Sequence, residues 1–91
     1  MTKEIVDFIL QYKLYDRSEL TRAINRHIEF ETITTLKDDN GILAVMRFNV
    51  TGECVHILEL LVRPDMEQKH AIKWITAKTW HKYPYTKLFQ V

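Results

Sequence analysis

The sequence is short of chain-breaking residues, of cysteine and of long apolar runs, and each shortage excludes something. Two glycines and two prolines in 91 residues, set against 46% hydrophobic residues, exclude collagen-like, linker and disordered classes. The lone Cys54 cannot close an internal disulfide, and small secreted domains usually carry several bridges, so a reducing compartment is expected. No run approaches the ~18 apolar residues of a membrane span, and the N-terminal MTKEIVDFILQYK places acids inside its apolar stretch, unlike a secretory signal. The expectation is a soluble cytoplasmic protein with no membrane partner.

Acid is missing from the last quarter of the chain. Residues 69–91 hold Lys69, Lys73, Lys78, Lys82 and Lys87 and no Asp or Glu, for a net +5, whereas residues 1–68 carry −4. The whole chain is only +1, which argues against an obligate nucleic-acid binder. The basic quarter reads first as a solvated helix face, with Trp74 and Trp80 covering the edge of the core. In the competing reading, Trp74, Trp80, Tyr83 and Tyr85 stack bases while the lysines neutralise phosphates, which keeps nucleic acid as a partner to test.

What is present suffices for one domain over residues 1–91. Ile5, Phe8, Ile9 and Tyr12 recur at helical spacing behind Thr2 as N-cap, predicting a helix over 3–14. Asp16 and Glu19 have capping-box spacing, and Leu20, Ala23, Ile24 and His27 predict a second helix ending near His27. From Glu29 the period changes to two, with Phe30 and Leu36 on one face and Ile33 on the other, predicting a first strand. Asp38-Asp39-Asn40-Gly41 supplies a tight hairpin, residues 42–50 a second strand, and Thr51-Gly52-Glu53 another turn. CVHILELLVR, residues 54–63, is apolar at nearly every position, as in a central strand covered on both faces. Pro64 stops it, Asp65 is placed to cap, and Ala71, Ile72, Ile75 and Thr79 line a helix running to about His81. Residues 86–91 form a last strand, parallel to the third through a right-handed crossover. The fold class is α+β: a mixed four-stranded sheet with two N-terminal helices.

Chemistry-bearing residues are few. Cys54 and His56 share a face of one strand, but no second pair has zinc spacing, since His27, His70 and His81 are scattered, so no metal site is expected. Two residues along a strand also lack the oriented base and oxyanion donors of a Cys-His nucleophile, so Cys54 reads as a packed thiol. Glu59 stands alone among apolar neighbours on the central strand, where a carboxylate needs a partner or a role.

The order helix, helix, three antiparallel strands, helix, parallel strand, together with the segment HILELLVRPDMEQKHAIKWI, resembles the core of the GNAT-type acyltransferases. The hydrophobic strand end, Arg63 and the Pro64-Asp65 pair match the family's fourth strand entering its cofactor helix. The resemblance implies acetyl-CoA or another acyl-CoA as cofactor, held by Leu61, Val62, Arg63, Gln68, Lys69, His70, Ala71, Ile72 and Lys73. It also implies Glu59 as general base toward an amine. The family's phosphate turn differs here: the basic position is Glu67, and His70 and Ile72 stand where glycines let backbone N–H groups approach a pyrophosphate. The later helix that carries the family's tyrosine acid lies beyond Val91. The expected function is therefore a minimal GNAT-like domain with weak acyl-CoA affinity and degenerate catalysis, an N-acyltransferase if active. The alternative is a non-catalytic interaction or assembly module of a phage or mobile element. It would use the basic C-terminal face, or the open sheet edge at the last strand, where a homodimer or protein partner is expected.

Overall fold

The computed structural model describes residues 1–84 and the backbone of residues 87–90. The elements are α1 (Thr2–Leu10), α2 (Arg17–Glu29), β1 (Ile33–Asp38), β2 (Gly41–Thr51), β3 (Cys54–Val62), α3 (Gln68–Lys82) and a short β4 (Lys87–Gln90). β1, β2 and β3 form an antiparallel meander, and β4 lies in parallel register beside Cys54–Ile57. The expectations resting on Tyr85, Thr86 and Val91, including the strand edge at Val91, fall outside the described residues.

Each apolar stripe finds a sheet face. Ile5, Val6, Phe8 and Ile9 of α1, with Leu20 and Ile24 of α2, bury against Ile33, Ile42 and Val45. On the other face Ile75 of α3 packs with Ala44, Met46, Phe48 and Val55. β2 is buried at Ala44, Val45 and Met46 in succession because it is covered on both sides. A buried hydroxyl pair fixes α3: Thr34 and Thr79 Oγ1 lie 2.7 Å apart, and Thr79 also donates to Ile75 O at 2.9 Å.

Several boundaries differ from the sequence pattern. α1 stops at Leu10 rather than 14, because Leu14 finds nothing to bury against and is fully exposed; Tyr12 stays, edge-on to Phe8 at 5.2 Å. Met1, not Thr2, is its N-cap, and Thr2 Oγ1 instead donates to Asn25 Oδ1. Asp16 does cap α2, accepting from Glu19 N at 2.9 Å. That helix continues past His27 to Glu29, since Ile28 extends the Leu20–Ile24 stripe onto the core. Phe30 is consequently an exposed C-cap residue rather than part of a strand, and β1 begins only at Ile33. Glu31, at φ 57°, makes the left-handed turn between them. Asp65 does not cap α3: it accepts from Arg63 Nε at 2.6 Å, and the N-cap is Glu67, without a side-chain cap bond. β3 is less covered than its composition suggests, with only Val55 fully buried and Leu58 exposed.

Candidate functional site

Glu59 reaches its surroundings through a β-bulge. From Thr51↔Cys54 to Phe48↔Ile57 the β2–β3 register is regular; then Arg47 pairs with Glu59 and Leu58 is left over. Without that extra residue the strict alternation of a strand would put Glu59 on the face of Val55 and Ile57, under α3. The bulge turns it to the α1/α2 side, where Leu61 packs.

There the carboxylate is enclosed by donors. Arg47 donates to Glu59 Oε1 from Nε at 2.9 Å and from Nη2 at 2.7 Å, while the Tyr15 hydroxyl donates to Oε2 at 2.6 Å. The guanidinium also lies 5.8 Å from the Tyr15 ring centroid. Tyr15 comes from the α1–α2 connection, placed next to the Asp16 cap. The side chains of Arg47 and Glu59 are only 14% and 9% exposed. The hydrogen bond to Glu59 and partial burial raise the Tyr15 pKa above its ordinary value, so the phenol stays protonated and donating at neutral pH. A carboxylate whose two oxygens already hold three donors is an ion-pair anchor; to act as general base it must first release a partner.

The residues expected to hold an acyl-CoA are divided. Leu61 packs on the α1/α2 side and Val62 on the α3 side, so their side chains belong to the two cores. Arg63 donates to Asp65 at 2.6 Å and to Asp38 at 3.0 Å, joining the β1–β2 hairpin to the turn before α3. Both acids hold its charge. Gln68, Lys69, His70 and Lys73 are exposed on the first turns of α3, while Ala71 is buried under them. Ile72, expected on the buried side, is instead 42% exposed, because Ala71, Ile75 and Thr79 already fill the sheet contact. Glu67 lies 3.4 Å from His70 Nδ1, and the His70 ring stacks on Trp74 at 5.9 Å. Glu59 and the first turns of α3 are therefore not convergent: Glu59 faces the α1/α2 layer, and α3 packs on the other face.

Tyr15 and Arg47 were not singled out in the sequence. Arg47 carries a signal, a lone cation between Met46 and Phe48, but a regular hairpin through Thr51-Gly52-Glu53 pairs it with Leu58, and only the bulge brings it to Glu59. Trp74 and Trp80, expected to cover the core edge, are 52% and 46% exposed. Among the described residues no three His, Cys, Asp or Glu side chains converge on a point where a metal ion could sit, and no helix is long and apolar enough to cross a membrane. No model of a protein family matches the chain, and no curated protein matches it.

Proposed function

We propose that the chain is a GNAT-like domain, a mixed four-stranded sheet with its crossover helix, that binds acyl-CoA weakly and does not carry out robust acyl transfer. The observation that carries this reading is the closed Arg47–Glu59–Tyr15 cluster, which engages the central-strand carboxylate expected to be the base. Weak binding rests on the turn into α3. A pyrophosphate there would meet backbone N–H groups at a helix N-terminus, but Glu67 repels it and Arg63 is neutralised by Asp38 and Asp65. Lys69 and Lys73 supply the remaining attraction.

The test is a thermal-shift titration with acetyl-CoA beside an assay for free thiol release with an amine acceptor. A ligand binding only the folded state raises stability by RT ln(1 + [L]/Kd). A small shift confined to millimolar acetyl-CoA, with no thiol release, is expected. Micromolar binding with turnover that Glu59→Gln abolishes would restore an active N-acyltransferase.

A second reading has its own observation. α3 holds no acid, it carries Lys69, Lys73, Lys78 and Lys82, and its Trp74 and Trp80 are half exposed. This face would serve an interaction module by contacting a polyanionic partner. Tryptophan quenching by a mixed single-stranded oligonucleotide that weakens with added salt supports it; unchanged fluorescence at low salt removes it. The edge of β4 is the place proposed for a homodimer or protein partner, and sedimentation as a monomer at high concentration counts against that.

A further inference from the structure

A notch of about 670 Å³ opens at the end of the sheet away from Arg63 and α3's first turn, lined by Arg26, His27, Phe30, Thr32, Asn49, Val50, Thr51, Leu58 and Tyr83. It exists because the strands are unequal. β1 starts at Ile33, opposite Arg47, while β2 runs on to Thr51. The last bond on this side is Phe48 N–H to Thr32 O at 3.0 Å, and strand alternation directs the N–H and C=O of Val50 into the gap. The opposite wall is the α2–β1 turn, held by the Tyr83 hydroxyl, which donates to Glu31 O at 2.9 Å.

The lining is chemically one-sided. None of the nine residues is acidic. Arg26, on the last turn of α2, has no ion-pair partner among the described residues. Thr32, Asn49 and Thr51 supply hydrogen-bonding groups, and Phe30 and Leu58, both exposed, supply apolar surface. Leu58 is the residue left over at the bulge, and strand alternation from Ile57, which packs under α3, places it on the opposite face, toward the notch. His27 Nδ1 lies 2.7 Å from Thr32 Oγ1; burial first, and then Arg47, hold its pKa below the ordinary value, leaving a neutral ring at the floor. The volume falls in the ~300–1,000 Å³ range of small-molecule sites.

We propose that this notch binds a small organic carboxylate with an aromatic or branched apolar body, the carboxylate paired with Arg26 and the body held between Phe30 and Leu58. A cation without a carboxylate partner beside hydroxyl and amide groups selects the anion. The exposed apolar pair gives the body a surface to leave water for. The site is independent of the acyl-CoA reading, since it shares no residue with the turn into α3.

The probe is 3-phenylpropionate, titrated into the ¹⁵N-labelled protein up to about 20 mM, where a ligand of about eleven heavy atoms at modest efficiency saturates. Saturable amide shifts are expected at residues 26–32, 49–51 and 58. The uncharged 3-phenylpropan-1-ol and the Arg26→Gln variant should each weaken binding at least about tenfold, the loss that goes with a charged contact. Arg26 is exposed, so the variant's spectrum should retain native dispersion, and Leu58→Ser tests the body contact separately. Absence of saturable shifts, equal binding of the alcohol, or unchanged affinity in Arg26→Gln would each overturn the proposal.

Discussion

At the scale of single residues the most deeply buried ion pair among the described residues is Arg47–Glu59. Removing one partner of a nearly buried ion pair costs more than the pair contributes, because the other charge stays behind without compensation. Arg47→Met is expected to lower unfolding free energy by about 3–5 kcal/mol. The double variant Arg47→Met with Glu59→Leu should regain most of that loss, since apolar side chains of similar volume replace buried pairs at little cost. Tyr15→Phe should cost about 1.5–3 kcal/mol, the range for a hydrogen bond to a charged group, at the lower end because the tyrosine is partly exposed. Urea titrations of the four proteins check all of this, and a double variant no more stable than Arg47→Met would contradict the account.

At the scale of elements, α3 is fixed to β1 by an unequal pair of hydroxyls. Thr79 has a second acceptor in Ile75 O, whereas the Thr34 hydroxyl has no other partner among the described residues. Thr79→Val therefore leaves a buried hydroxyl on Thr34 without a partner and is expected to cost about 1–3 kcal/mol. Thr34→Val leaves Thr79 bonded within its helix and should cost clearly less. Equal losses in the two variants would show that the pair does not dock the helix in this way. α2 depends on its cap: Asp16→Ala should lose about 1 kcal/mol by removing the acceptor for Glu19 N–H, with midpoint shifts in circular dichroism as the measure. That variant also loosens the connection carrying Tyr15, so part of the loss should vanish in a Tyr15→Phe background.

At the scale of the whole molecule, stability should depend on mildly acidic pH through His27. Its folded pKa lies below the ordinary 6.5, chiefly because of burial and then because of Arg47; a hydrogen bond with Thr32 opposes the depression, Arg26 adds to it and Glu59 opposes it. The unfolded chain therefore takes up a proton before the folded one does, and stability rises with pH in that interval. The His27 contribution is complete above about pH 6.5 and is lost as pH falls from there through the folded pKa. The urea midpoint should drop between about pH 7 and pH 5, and His27→Gln should flatten that slope. The depressed carboxyls of Asp7 and Asp38, held down by Lys3 with Arg17 and by Arg63 respectively, titrate below 3.8 and act only in a more acidic window. A slope unchanged by His27→Gln would show that another group carries it.

Element type and order were legible in the sequence wherever a local period was long and bounded by turn chemistry. The Asp16 cap, the Asp38–Gly41 hairpin and the three-stranded meander follow from contacts within a few residues of each other, which local preferences control. Boundaries were less legible: Glu29 and Phe30 suit helix end or strand start equally, and Ile28 meeting the core decided between them. Glu59 stood out as a charge among aliphatic neighbours, but its partners did not, because one extra residue at Leu58 shifts the register and reverses the face of everything between the bulge and Val62. Arg63 has one partner within local reach, Asp65, but its second, Asp38, comes from 25 residues away. The sequence by itself determined which segments are helix and strand, since those choices rest on short-range spacing. Only the tertiary structure decided which charges meet, because pairing across a sheet depends on register, and register is settled by packing on both faces at once.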